Sequence, residues 1–307
     1  MSKLSFTICR TCINALSNAI EALRKKFRKI MTHNITIHTP EEIEAMRRIG
    51  RQASELLDFI TPYVKAGVTT KYLDDLMDEY TIKHLGAVSA CKGYQPEGMT
   101  PYPCSTCISV NHVICHGIPS EKKVLKKGDI VNIDITITKD GFFGDNSRMF
   151  IVGKPTIAGK RIVDAAFGCM WAGIEAVKPG NCFNDIGIAC QNFCAPLGVS
   201  IVHEYGGHGI GRVFHGEPHV CHVPIKTPTA TFEPGMIFTV EPMVNAGKRH
   251  ILDLADGWTV VTKDKSLSAQ WELEVLVTET GYDILTVSKD SPEPPEWVKG
   301  WKKPSFD

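Results

Sequence analysis

The chain has 307 residues, 43% of them hydrophobic, and its 34 basic and 34 acidic side chains cancel. A chain disordered throughout is excluded, because it lacks the apolar surface to offset ordering entropy. No run approaches the ~18 apolar residues of a membrane span, and the charge balance gives no support for a nucleic-acid partner. Eleven scattered cysteines behind no secretory signal argue against a disulfide framework and for a reducing, cytoplasmic compartment.

Charge is unevenly placed. Residues 1–30 carry a net +6, leaving −6 for the remainder. Within them Ile13, Leu16, Ile20, Leu23, Phe27 and Ile30 recur at steps of three and four, one apolar stripe on a basic helix. Such a helix suits a membrane surface, a partner or a transit peptide. The alternative is that 1–33 is an appendage, disordered or upstream of a start at Met31. Cys9 and Cys12 form a lone CxxC without the second pair of a zinc site.

A folded domain is expected over 34–290. It opens at Thr39-Pro40-Glu41-Glu42, an N-cap, a first-turn proline and a capping box. Ile43, Met46, Ile49, Leu56 and Leu57 then give a helical face. A second helix runs from about Thr70 to His84. Residues 129–152 switch to period two and read as a hairpin. Helical pattern returns near 159–177 and 184–196. Residues 199–204, 236–241, 258–262 and 269–278 read as strands. The proline-rich tail, 291–307, wraps the surface or frays.

An internal repeat is visible. Val64-Lys65-Ala66-Gly67 recurs as Val177-Lys178-Pro179-Gly180, and Leu85-Gly86 as Leu197-Gly198. His116-Gly117-Ile118-Pro119 then matches His215-Gly216-Glu217-Pro218. Gly128-x-Ile130-x-x-x-Asp134 matches Gly235-x-Ile237-x-x-x-Glu241. Two similar halves follow, each offering one histidine and one carboxylate, with a site expected at their shared interface.

In the hairpin, Val131, Ile133, Ile135 and Ile137 make one face and Asn132, Asp134, Thr136 and Thr138 the other. A turn at Lys139-Asp140-Gly141 brings Asp145 opposite Asp134 or one diagonal step away. Two carboxylates that close require a cation, a shared proton or solvent. His208 stands between glycines, Glu241 ends an apolar strand, and Glu272 shares a strand face with Gln270 and Glu274. Together Asp134, Asp145, His208, Glu241 and Glu272 give four carboxylates and one imidazole, which two divalent cations would balance. Oxygen-rich ligation with one nitrogen suits Mn, Fe or Co better than thiolate zinc.

These residues lie in the motifs CISVNHVICHGIP, GDIVNIDITITKDGFFGDNSRMFIVGKPT, EYGGHGIGRVFHGEP, FTVEPMVNAGK and DGWTVVTKDKSLSAQWE. From about Ile35 to Lys289 the chain resembles the type I methionine aminopeptidases. The resemblance implies the α/β pita-bread fold, with two pseudo-symmetric halves around a curved antiparallel sheet and helices outside. It implies two divalent metal ions (Co, Mn, Fe, Zn or Ni) on the same five residues, bridged by Asp145 and Glu272. It makes Glu241 the acid/base group, His116 the residue that positions the substrate or passes a proton to the leaving amine, and His215 the donor to the scissile carbonyl. Cys91, Tyr94, Tyr102, Cys107, Phe214 and Trp258 would line the methionine pocket, where sulfur–aromatic contacts are favourable. The implied activity is removal of the initiator methionine before a small second residue. The implied partner is the nascent chain near the ribosome, bound by a monomer.

The chain departs from the family pattern in four places. Residues 95–106 look several residues longer, Gly216 stands where many members have glutamate, Leu273 where many have histidine, and an extension precedes Met31. Three rivals stand beside this reading. One is an X-Pro aminopeptidase or prolidase of the same fold, and another a non-catalytic binding protein on it. The third, a cysteine hydrolase using Cys115 and His116, conflicts with adjacent strand residues pointing to opposite faces.

Overall fold

The structure, a computed structural model, describes residues 34–306. The basic helix and lone CxxC expected within 1–33 lie outside them. Helix α1 (Pro40–Ile60) starts on the expected capping box: Thr39 Oγ1 accepts from Glu42 N, and Glu42 Oε2 accepts from Thr39 N. Helix α2 (Thr70–Tyr80) continues through a five-residue π turn to Leu85 and ends on left-handed Gly86. Helices α3 (Ile157–Glu175) and α4 (Phe183–Cys194) carry the second half.

Fifteen short strands follow in chain order. The first half supplies β1 (Val88–Ser89), β2 (Cys107–Val110), β3 (Val113–Cys115), β4 (Ile130–Lys139) and β5 (Phe142–Ile151). Next come β6 (Ser200–Ile201), β7 (Gly207–Gly209), β8 (Gly216–Val220), β9 (Ile237–Val240) and β10 (Met243–Asn245). The last are β11 (Ile251–Asp253), β12 (Val260–Thr262), β13 (Ser268–Gln270), β14 (Leu273–Val277) and β15 (Tyr282–Ile284). Every strand pairing is antiparallel, in four hydrogen-bonded segments. Strands β1 and β2 share one edge of β4, whose other edge takes β5; a second segment runs β15-β14-β9-β7-β8.

The two-residue turn Asp140-Gly141, with φ of 54° and 77°, closes the β4–β5 hairpin. Positive φ at both positions matches the strand twist. Its register sets Asp134 opposite Ser147 and Thr136 opposite Asp145, so the two aspartates are diagonal neighbours. The apolar face, Val131 to Ile137, buries against Met46, Ile49, Leu56 and Leu57 of α1. Helices α3 and α4 cover a second core with Phe238, Val240 and Val275. Both cores therefore lie on the helix side of the strands, and the polar faces are left to converge on the other.

The repeat survives in the backbone. Gly67 and Gly180 have φ of 94° and 90°, Gly86 and Gly198 57° and 63°, Gly128 and Gly235 89° and 91°. Isolated bridges Thr69–Val124 and Cys182–Thr231 recur at matching places. Asp134 and Glu241 thus occupy equivalent positions in the two halves.

Two strand expectations are corrected. Of 199–204 only Ser200–Ile201 pairs, because β10 supplies just two partners there. The single strand expected over 269–278 is two: β13 joins β10 and β14 joins β9, and between them Glu272 N turns aside to the carbonyl of Ser147, 3.3 Å. The facing was right, since Ala269, Trp271, Leu273 and Val275 all enter the second core. Residues 291–306 lie against α3, with Val298 buried, Trp301 5.7 Å from Trp171 between ring centres, and Trp301 Nε1 donating to Asp283 Oδ1.

Candidate active site

All five expected ligands line one cavity of about 230 Å³. Ligand atoms of Asp145, His208 and Glu272 lie within 4.8 Å of one another. His208 Nε2 is 3.5 Å from Asp145 Oδ2 and 3.7 Å from Glu241 Oε1, and Asp134 and Glu241 complete the wall.

Asp145, His208 and Glu241 are held by their neighbours. Asp145 Oδ1 accepts from Thr136 Oγ1, and Asp145 N donates to Glu274 Oε1. Thr239 Oγ1 accepts from His208 N and donates to Glu241 Oε1. Gln270 Nε2 donates to Glu241 Oε2, and Glu241 N to His222 Nε2. His208 Nδ1 donates to the carbonyl of Gly209, which turns Nε2 toward the carboxylates. The glycines beside His208 serve backbone approach: a Cβ on Gly207 would stand 2.2 Å from Thr239 O, and one on Gly209 2.0 Å from Glu217 O. Gly209→Ala is therefore expected to lower stability by about 1–3 kcal/mol through forced strand separation. Thermal melts check this, and an unchanged melting temperature would contradict the close approach.

Burial pushes the Asp134 and Glu272 carboxyls well above the ordinary range, and the charge of Asp145 adds to both. Glu241 rises to about 7, chiefly by burial. Burial works against a charged His208, but Asp145 and Glu241 outweigh it and the imidazole's pKa rises. Among the described residues no lysine or arginine lines the cavity. Three buried carboxylates, a half-buried fourth and one imidazole fit two divalent ions, since the described residues of the wall supply no lysine or arginine to balance the ionised cluster.

His116 sits at φ 54° just past β3, half-buried, its pKa lowered to about 4 by burial. Its Nδ1 is 3.8 Å from Cys115 Sγ. The opposite-faces argument against this pair therefore fails: the strand ends at Cys115, and a left-handed residue follows. The hydrolase reading falls for another reason, because burial raises the Cys115 thiol well above its ordinary value and deprives it of thiolate. His215 lies at the mouth, its ring stacked 3.9 Å from Phe214 and 4.3 Å from His208 between centres. Although its edge reaches solvent, surrounding protein atoms and then His208 lower its pKa to about 4.

Cys91, Tyr102, Cys107 and Trp258 form a separate buried cluster beside the ligands, with Tyr94 and Met99 packed on it. Phe214 closes it through Tyr94, 5.0 Å between ring centres. The longer stretch does not displace Tyr102. Gly93 N donates to Tyr102 O and Tyr102 N to Tyr94 O, so the extra residues loop out between paired ends. Thr100 O in that loop accepts from Trp258 Nε1, 3.0 Å. Gly216 and Leu273 lie outside the cavity wall.

Sequence reasoning did not single out Thr239, Gln270, His222, Glu204, Tyr205 or His219. Gln270 was findable, two residues before Glu272 on the same strand face. His222 stays neutral because burial lowers its pKa to about 3, while the unfolded chain's histidine titrates near 6.5. Its contribution is therefore full above pH 6.5 and lost as pH falls toward 3. His222→Gln, which keeps an acceptor for Glu241 N, is expected to flatten stability against pH between 6.5 and 4. Denaturant melts across that range check it; identical slopes would contradict it.

A buried carboxylate–imidazole cluster between two like halves, with helices behind, defines a metallopeptidase site. The model of metallopeptidase family M24 matches residues 44–279. The methionine aminopeptidase of Escherichia coli is 53% identical over 260 residues, 85% of this chain and 97% of that protein. The crystal structure of methionine aminopeptidase from Rickettsia prowazekii superposes with a TM-score of 0.78 at 46% identity, over 82% of this chain and 100% of that one. The enzyme from Thermotoga maritima gives 0.78 at 34% identity, over 82% and 99%. The chain belongs to metallopeptidase family M24 and, within it, to the methionine aminopeptidases.

Proposed function

We propose that this enzyme removes the initiator methionine from nascent chains, preferring a small second residue, as a cytoplasmic monomer near the ribosome. The observation that carries the reading is one cavity lined by the five candidate ligands, both histidines and the sulfur and aromatic side chains of Cys91, Tyr94, Tyr102, Cys107, Phe214 and Trp258. The nine cysteines among the described residues are all free, which supports a reducing compartment. None of the helices among these residues is long and apolar enough to cross a membrane.

Asp134, Asp145, His208, Glu241 and Glu272 would hold two divalent ions. When bound, such ions lower the pKa of water and polarise a carbonyl. The chain does the rest. The cluster of Cys91, Tyr94, Tyr102, Cys107, Phe214 and Trp258 takes the methionine side chain. Glu241, held by Thr239 and Gln270, accepts a proton from the attacking water. His215 donates to the carbonyl oxygen as it gains charge. His116, neutral and facing the same cavity, relays the proton that Glu241 has taken on to the departing amine and ends neutral.

Hydrolysis of Met-Ala-Ser beside X-Pro peptides tests the assignment. Release of methionine alone is expected. Cleavage of X-Pro peptides would move the protein to the prolidase branch, and cleavage of neither would leave the non-catalytic reading.

A further inference from the structure

Tyr94 stands in the pocket wall, but its hydroxyl reaches beyond it: Oη is 2.7 Å from Nδ1 of His215. The phenol has no other hydrogen bond among the described residues. Its ring is fixed, with the centres of Phe214 and His215 both 5.0 Å away and Trp258 6.5 Å. Its backbone is fixed too, Tyr94 N donating to Cys91 O and Tyr94 O accepting from Tyr102 N, each 2.9 Å. Burial raises the phenol's pKa, so the hydroxyl keeps its proton.

A neutral imidazole has one N–H and one bare nitrogen, and the partner of one ring nitrogen decides the state of the other. Were Nδ1 to carry the proton, Nε2 would be a bare acceptor facing a carbonyl oxygen, which it would repel. With Nδ1 accepting, Nε2 carries the proton and donates. A phenol has an O–H to give, and an acceptor-only nitrogen is the partner that uses it.

We propose that Tyr94 is a positioning residue whose hydroxyl donates to His215 Nδ1, fixing the Nε2–H tautomer and aiming that donor at the scissile carbonyl. The inference rests on the role given above to His215. It makes Tyr94 a residue of two functions: the ring face bounds the methionine pocket, and the hydroxyl sets the protonation pattern of the neighbouring imidazole. The two are separable, because Tyr94→Phe removes the oxygen and keeps the ring.

Two readouts test it. In steady-state hydrolysis of Met-Ala-Ser, Tyr94→Phe is expected to lower kcat about 10-fold to 100-fold while KM stays within about twofold. A raised KM with unchanged kcat would reduce Tyr94 to a pocket wall and overturn the proposal, as would unchanged kinetics. Independently of activity, nitrogen-15 NMR of histidine-labelled, zinc-loaded protein should show His215 as the Nε2–H tautomer. In Tyr94→Phe that signature should give way to a mixture. An Nδ1–H pattern in the unsubstituted protein, or the same pattern in both, would overturn it. Absence of methionine release by the unsubstituted enzyme would count against the proposed function and leave the tautomer measurement standing.

Discussion

Glu241→Gln is expected to retain metal and lose about 10³-fold in kcat. The amide keeps the volume and one oxygen ligand, and Thr239 and Gln270 remain to hold it. What is lost is a carboxylate able to take a proton and return it. Metal content by elemental analysis, measured beside turnover of Met-Ala-Ser, separates the two properties. Near-normal turnover would remove Glu241 from the proton's path, and loss of both metal and activity would make it a ligand alone.

His215→Ala is expected to lower kcat by about 10²–10³-fold with a smaller change in KM. A hydrogen bond to the carbonyl oxygen strengthens as that oxygen gains charge, so its removal falls on the transition state more than on substrate binding. The ring also stacks on Phe214, and its loss loosens one side of the pocket, which accounts for the smaller KM effect. Steady-state kinetics on Met-Ala-Ser decide the matter. An effect confined to KM would assign His215 to binding.

Much of this was legible in the residues, for identifiable reasons. Strict alternation from Val131 to Thr138 leaves only one apolar face to pack on the helices, so Asp134 was placed on the opposite face before any partner was known. The repeat was legible because backbone turns demand glycine: the matched glycines keep φ within a few degrees of one another across the halves. The five ligands were readable as a set because no single carboxylate explained itself. What stayed hidden was non-local. The diagonal offset of Asp134 and Asp145 depended on whether the turn had two residues or more. The break of the last long strand at Trp271-Glu272 follows from competition between β10 and β9 for neighbouring stretches of one apolar run. Thr239 and His222 carry no signal of their own, since a threonine in a strand and a buried histidine are ordinary until Glu241 is placed beside them. The adjacency argument at Cys115-His116 failed for a similar reason, because nothing in the residues marks the end of β3.

Metal dependence tests the central claim most directly. The protein would be stripped with a chelator, assayed on Met-Ala-Ser, and assayed again as Mn, Co, Fe, Zn or Ni is added back against measured metal content. Stripped protein is expected to release no methionine and to recover with bound divalent metal, a recovery abolished in Asp145→Ala. Full activity in protein shown by elemental analysis to be metal-free would contradict it.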